Sequence, residues 1–156
     1  MTETQSIPRL LPTLTETNTP FWTRGRQNEL VILRHRETGA WVHPPELAES
    51  GDNGGDNNIV PEVVSGKGTV MTFTVNHHPY NPEVPVPYVI AVVELTEDAS
   101  IRLPTNIVGC EPDEVYIGMP VRVLFEQRED VAIPLFKPDN FEPDDDAPQG
   151  LGTQHD

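Results

Sequence analysis

Seventeen prolines distributed along 156 residues constrain the fold of this chain more than any other feature of its sequence. Proline has no backbone N–H and a fixed φ, so it belongs in loops, at sheet edges and at strand ends rather than inside helices. A chain of this length forms one domain, or one domain with a small appendage. We therefore predict a protein that is mainly β and rich in loops.

Residues 59–138 read as one short strand after another. TVMTFTV alternates in residue type, which is typical of a half-buried strand and would place Val70 and Phe73 on opposite faces. YVIAVVELTED is a nearly continuous apolar run, which suits a strand buried on both faces. Further candidate strands lie in SIRLPTNIVGC, MPVRVLFEQRED and VAIPLFKPDN. Five to six strands with short turns predict an OB-fold, a small Greek-key barrel, over residues 59–138.

The part of the chain before the predicted barrel has a different character. Residues 1–18 are rich in Thr and Pro, and we expect a flexible segment. TPFWTRGRQNEL indicates a short helix, and ELVILRHR and GAWVHPP indicate the two strands of a hairpin. ELAESGDNGGDNNIV is too polar to bury apolar surface, so it indicates an exposed loop. Helix, hairpin and loop together occupy residues 19–58.

Acidic residues dominate the charge of the chain. The net charge is −15 with ten Lys and Arg, which argues against nucleic acid and anionic membranes as partners, because both need clustered basic residues. Residues 139–156 carry six acidic residues and no Lys or Arg, so we expect a disordered tail. The N-terminus lacks the pattern of a signal peptide, and a single cysteine suits the reducing cytoplasm, where we expect the protein.

The sequence offers no convincing catalytic or metal-binding set. His77 and His78 are adjacent, so on a strand they would point to opposite faces and could not easily share an ion. Cys110 has no neighbouring pattern that marks an activating base, and a lone cysteine is usually a small core residue. We therefore expect no catalytic residue, no bound metal and no cofactor, and no enzymatic turnover by this chain alone.

Four stretches together resemble a known family. TPFWTRGRQNELVILRHRETGAWVHPP is followed by VVSGKGTVMTFTVNHHPYNPEVPVPYVIAVVEL, IRLPTNIVGCEPDEVYIGMPVRVLFE and IPLFKPDN. Their order and spacing, over residues 19–140, resemble the acyl-CoA-associated OB-fold family with an N-terminal zinc ribbon, long known as a domain of unknown function. The resemblance implies a short helix, a ribbon and a C-terminal OB-fold. It also implies a thiolase-like (lipid-transfer-type) partner, such as a steroid side-chain aldolase, whose own subunit carries the catalytic residues.

The ribbon departs from the family pattern. The resemblance places the four ribbon cysteines at His35, Thr38, Glu49 and Asp52, and none of these is a cysteine here. Threonine is seldom a zinc ligand and no thiolate remains, so the ribbon is predicted to be degenerate and free of metal.

These observations predict a non-catalytic accessory subunit of a thiolase-fold enzyme, an aldolase (lyase) or thiolase of steroid or lipid side-chain degradation, whose complex acts on a CoA thioester. The alternative is a stand-alone OB-fold protein that binds acyl-CoA or another small molecule. A third function, binding of single-stranded nucleic acid, is disfavoured by the acidic charge. The candidate partner-binding residues are Phe21, Trp22 and Trp41. The candidate residues facing acyl-CoA or the partner's active site are Phe73, His77 and Asn106.

Overall fold

A computed structural model gives the structure of the chain and describes residues 9–45 and 58–139. The GDN-rich loop at residues 46–57 and the acidic tail beyond Asp139 lie outside the described residues. The elements are the helix α1 (Thr19–Thr23), a 3-10 turn (Arg24–Gln27), β1 (Leu30–His35), β2 (Trp41–Val42), β3 (Ile59–Val64), β4 (Lys67–Asn76), β5 (Tyr88–Leu95), β6 (Asp98–Ile107), a second 3-10 turn (Pro112–Glu114), β7 (Pro120–Arg128) and β8 (Val131–Pro138).

A three-stranded antiparallel sheet precedes the barrel, in the order β2-β1-β3. β1 lies in the centre and its residues Leu30–Leu33 are all buried, which explains why this strand is a continuous apolar run. The predicted hairpin is β1 and β2, which pair at Leu33 with Val42. The sequence predicts that residue 59 begins the OB-fold, but the structure pairs residues 59–64 with β1, so the barrel strands begin at Lys67.

The remaining five strands close a barrel in the order β4-β5-β6-β8-β7. All neighbours are antiparallel except β6 and β8, which run parallel and pair only at Ile107 with Phe136. The barrel interior is filled by apolar side chains, and Val93, Val121 and Phe136 have no exposed surface at all. The predicted mainly β architecture with a C-terminal OB-fold is confirmed.

A β-bulge changes the face that half of β4 presents to the core. Val70 and Thr72 pair with successive residues of β5, so Met71 is an extra residue that has no partner. The extra residue shifts the alternation by one position. Val70 is therefore buried, and Phe73 packs against the same core. The prediction that these two side chains lie on opposite faces is wrong, because alternation alone does not reveal a bulge.

The N-terminal helical segment lies directly on the barrel. Gly25 permits the close approach, because a Cβ at this position would lie 2.7 Å from the Cβ of Ala132 and closer still to the ring of Phe125. Phe21, one turn earlier, is 6% exposed and belongs to the same hydrophobic core as the barrel strands. The helix is therefore an integral layer of the fold, and the ring of Phe21 is buried by this chain itself.

Residues 9–18 make specific contacts, although the sequence predicts a flexible segment. The Asn18 side chain is buried, accepts a hydrogen bond from the backbone of Thr15 at 2.7 Å and donates one to the carbonyl of Thr13 at 3.1 Å. Further upstream, Nε of Arg9 lies 2.7 Å from the carboxylate of Glu126 on β7. The ion pair joins positions 117 residues apart, which local composition cannot indicate.

Candidate functional site

A cavity of about 450 Å³ lies between α1, the residues after β2 and the two barrel strands β6 and β8. Most of its wall is apolar, and the polar groups are few. The lining residues are Arg9, Phe21, Trp22, His43–Pro45, Arg102–Asn106 and Ile133–Phe136. Pockets of this size and character are typical of small-molecule sites.

The cavity lies beside β6 and β8, which pair at only one position. Beyond the single pairing near their ends, each strand contains a proline, Pro104 in β6 and Pro134 in β8, and neither can donate a backbone hydrogen bond. A side chain makes one of the few links across the gap: the Thr105 hydroxyl donates to the carbonyl of Pro134 at 3.2 Å. A closed ladder in this position would leave no opening between the strands.

Aromatic rings form the wall opposite the barrel strands. The Phe21 ring meets Trp22 edge to face with centroids 4.8 Å apart, and its centroid lies 5.2 Å from that of His43. Trp22 is partly buried against the core. Its indole Nε1 is buried and has no hydrogen-bond partner. Phe21 and Trp22 are therefore the predicted partner-binding residues that line the cavity.

His43 is a second polar group in the wall without a partner. Its Nδ1 is buried and makes no hydrogen bond. Burial lowers the pKa of His43 from 6.5 to about 4, because desolvation penalises the charged imidazolium. The ring is therefore neutral at pH 7, with one nitrogen that donates and one that accepts. His43 is not among the site residues predicted from sequence, since nothing local indicates that the chain buries it.

Two arginines line the cavity. Arg9 is held by Glu126 and lies 3.4 Å from Oδ1 of Asn106. The side chain of Arg102 is 53% exposed, with the nearest carboxylate, that of Glu94, at 3.7 Å. Among the lining residues that the structure describes there is no Asp or Glu.

The candidate residues on the barrel do not share a face. Phe73 lies opposite Ala91, and Ala91 lies opposite Thr105, so these three side chains share one face. Asn106 is the next residue of β6 and projects from the other face, and His77 follows the end of β4 and is exposed. The prediction of one surface made of Phe73, His77 and Asn106 is therefore wrong, because strand register decides which residues meet. Only Asn106 lines the cavity.

Trp41 stands apart from the cavity wall. It lies on β2 in the small sheet, partly buried, with the guanidinium of Arg34 4.3 Å from the centre of its ring. This cation–π contact helps to hold the Trp41 ring in place. Phe21, Trp22 and Trp41 therefore have different environments: Phe21 is core, Trp22 lines the cavity and Trp41 lies on the second strand of the hairpin.

The degenerate ribbon does not fit a zinc ion. Its described positions supply the imidazole of His35 and the Thr38 hydroxyl, and that hydroxyl accepts a hydrogen bond from the backbone of Ala40 at 3.2 Å. Glu49 and Asp52 fall outside the described residues. Within residues 9–45 and 58–139, no three His, Cys, Asp or Glu side chains lie close enough to hold a metal. The donor set lacks the thiolates of a ribbon site.

Cys110 has the environment of an unreactive thiol. Burial raises its pKa, and the nearby carboxylates of Glu114 and Glu111 raise it further. Because the thiolate is the reactive form, these effects suppress nucleophilic reactivity. None of the helices in the described part of the chain is long and apolar enough to cross a membrane.

Together these features define a class of protein: an OB-fold barrel preceded by a helix and a cysteine-free hairpin sheet, with a cavity where the barrel strands diverge. The ChsH2 C-terminal OB-fold domain matches residues 62–126. Among solved structures, a chain of the Ltp2-ChsH2(DUF35) aldolase is 34% identical with a TM-score of 0.68, and the match covers 82% of this chain and 98% of that chain. This chain belongs to the ChsH2 OB-fold (DUF35) family, as its resemblance predicts.

Two curated relatives extend the comparison. The 3-oxo-4,17-pregnadiene-20-carboxyl-CoA hydratase alpha subunit of Mycobacterium tuberculosis is 40% identical over 119 residues, which are 76% of this chain and 37% of the relative. The DUF35 domain-containing scaffold protein of Methanocaldococcus jannaschii is 48% identical over 65 residues, which are 41% of this chain and 45% of the relative. Each match therefore covers less than half the length of the curated relative.

Proposed function

We propose that this chain is a non-catalytic accessory subunit of a CoA-thioester enzyme, an aldolase (lyase) or thiolase that acts on steroid or lipid side chains. The observation that carries the proposal is the match to the Ltp2-ChsH2(DUF35) aldolase, which extends over 98% of that chain. One relative is named a scaffold protein, and another is named a subunit of a hydratase for a pregnadiene carboxyl-CoA. All three proteins are named as a complex, a subunit or a scaffold.

The chemistry of the described residues supports a function by contact. The raised pKa of Cys110 keeps it in the thiol form. The imidazole of His43 is neutral, and its Nδ1 has no hydrogen-bond partner that it could activate. Nucleophilic catalysis needs a nucleophile and a base within hydrogen-bond reach. We therefore assign the catalytic residues to the partner, a thiolase-fold subunit, and the CoA thioester to the complex as its substrate. This chain is proposed to work in the cytoplasm without a cofactor of its own.

The experiment that tests this proposal is co-expression with a thiolase-fold enzyme encoded beside this chain. We expect one hetero-oligomer in size-exclusion chromatography. We also expect cleavage of a 3-hydroxyacyl-CoA by the complex and none by this chain alone. The proposal fails if the two proteins elute separately at micromolar concentration and the enzyme is fully active by itself.

A pair of aromatic variants tests how the subunit holds its partner. We propose that Trp22 and Trp41 contact the partner, because each keeps some exposed surface, whereas Phe21 only supports the helix. Trp22→Ala should weaken the complex by roughly 30-fold, in line with the loss of an interface aromatic. The matched control is Phe21→Ala, which should lower the melting temperature of the isolated chain. Unchanged binding by Trp22→Ala would exclude Trp22 from the interface.

The cavity favours a second candidate function, a stand-alone protein that binds acyl-CoA or another small molecule. Co-purification separates the two candidates. A chain that stays monomeric beside every thiolase-fold protein of its genome, and that still binds ligand, would support the stand-alone function.

A further inference from the structure

Three basic side chains lie side by side on the solvent face of the barrel. Lys67 of β4 pairs with Arg122 of β7, and Arg122 pairs with Lys137 of β8, so the three side chains share one face of the sheet. All three residues are exposed, whereas the adjacent Val121 and Phe136 are buried. These three residues, here called the basic row, include both lysines of a chain whose net charge is −15.

The basic row has few counter-charges. Like charges on directly opposite residues of neighbouring strands repel each other, so a row of three cations lowers stability unless anions offset it. Within residues 9–45 and 58–139, neither Lys67 nor Lys137 has an ion-pair partner. Arg122 does have one, because its Nη2 lies 3.1 Å from Oδ1 of Asp139. One ion pair therefore serves three cations.

Asp139 fixes the place at which the following residues leave the barrel. Its side chain is 13% exposed, and its backbone N–H donates to the carbonyl of Pro120 at 2.9 Å. Asp139 follows Lys137 by two residues and is itself paired with Arg122. The chain therefore continues from the edge of the basic row.

The sequence after Asp139 has the complementary charge and sufficient length. Residues 140–156 contain five acidic residues and no Lys or Arg, and four of the five lie in EPDDD at positions 142–146. An extended chain spans about 3.3–3.6 Å per residue, so these positions can lie about 10–25 Å from Asp139. The two lysines lie two strand spacings apart, which is about 10 Å. All three cations are therefore within reach of EPDDD.

We propose that residues 142–146 bind the basic row of the same chain. Each pair of a carboxylate and an exposed cation contributes little, so the isolated contact is weak. Attachment at Asp139 compensates for this weakness, because a short tether gives an effective concentration on the order of millimolar. An intrinsic dissociation constant of about 1 mM then keeps the basic row covered about half of the time. The acidic segment thereby competes with other anions for the basic row, with or without the proposed partner.

The two lysines report on the basic row directly. Protein labelled with [ε-¹³C]lysine gives two lysine Cε–Hε signals, and Lys67→Arg assigns them without a change of charge. The tail variant removes three carboxylates of the acidic segment through Asp144→Asn, Asp145→Asn and Asp146→Asn. We expect both lysine signals to move in the tail variant, because the carboxylates beside them are gone.

A loop variant is the matched control. It removes three carboxylates elsewhere, so that the net charge changes by the same amount, through Glu46→Gln, Glu49→Gln and Asp52→Asn. Both lysine signals should stay at their wild-type positions in this variant. Raising the ionic strength from about 0.1 M to about 1 M shortens the Debye length from about 10 Å to about 3 Å. The lysine signals of wild type and the tail variant should then coincide.

Inorganic tripolyphosphate measures the competition for the basic row. In wild type it must displace the acidic segment, so the tail variant should bind tripolyphosphate about twofold more tightly, or more, while the loop variant should bind it like wild type. Equal affinity of wild type and the tail variant would contradict the competition.

Carbodiimide cross-linking identifies the occupant, because it joins a lysine amine to a carboxylate in contact with it. We expect cross-links from the two lysines to residues 142–146 within one chain. In an equal mixture of ¹⁴N and ¹⁵N protein, cross-links that join the two labels would assign the basic row to a second copy and overturn the proposal. Lysine signals that stay in place in the tail variant, or that move equally in the loop variant, would also overturn it.

Discussion

Burial of His43 should make this protein less stable in acid. The pKa of His43 is about 4 in the folded chain and 6.5 as an ordinary histidine, so the folded state binds the proton more weakly than the unfolded state. The stability that comes from keeping the ring neutral is fully present above pH 6.5 and is lost as the pH falls towards 4. Since one pKa unit corresponds to about 1.4 kcal/mol, the loss is on the order of 2 kcal/mol at pH 5 and 3 kcal/mol at pH 4.

The matched variant is His43→Phe, which keeps an aromatic ring next to Phe21 but cannot titrate. Urea unfolding at pH 7, 5 and 4 should show that wild type loses about 2–3 kcal/mol more than His43→Phe on acidification. The difference between the two proteins isolates His43 from the many carboxylates of the chain. Equal losses in wild type and His43→Phe would refute the buried, neutral imidazole.

Three further predictions concern packing and metal content. Gly25→Ala should lower the free energy of unfolding, measured in thermal melts, by about 1–3 kcal/mol, because the new methyl group collides with Phe125 and Ala132. The control is Gln27→Ala, which changes an exposed residue of the same segment and should leave the stability almost unchanged. Phe21→Ala should lower the free energy of unfolding, measured by calorimetry, by about 3–5 kcal/mol, because its ring belongs to the hydrophobic core. A melting temperature within about 2 °C of wild type would contradict this burial. Elemental analysis of protein purified without added metal should show no stoichiometric zinc; one tightly held zinc per chain would disprove the loss of the ribbon site.

The sequence predicts the barrel well because strands carry their own signal. The apolar run of β5, the alternation in β4 and the proline-rich connections are local features, and local features suffice for the class of fold. The sheet to which a strand belongs cannot be deduced from its local sequence. Ile59–Val64 has the composition of a barrel strand but pairs with β1, because that partner is decided by contacts between segments distant in sequence.

The candidate site was harder to predict for the same reason. Trp22 and Asn106 are named from sequence and both reach the cavity, yet neither is predicted to lie near the other. His43 and Arg9 also line the cavity, but only the folded chain brings them there: Nδ1 of His43 is buried, and Arg9 is held by an ion pair with Glu126. The bulge at Met71 and the register of β6 then decide which of the remaining candidates face inwards. Long-range geometry, not residue type, separates the correct predictions from the wrong ones.

The junction at Gly66 makes the hairpin sheet and the barrel a single mechanical unit. β3 leads through Ser65 and Gly66 straight into β4, and the Gly66 carbonyl accepts a hydrogen bond from the backbone of Val123 at 2.8 Å. Gly66 has φ +80°, and an added Cβ would press against the Val123 side chain, so the bend is pinned in place. One run of chain thus serves two sheets without a linker. We expect such an arrangement to pass a tilt of the small sheet directly to the barrel wall, and we expect the two sheets to unfold together in one cooperative transition.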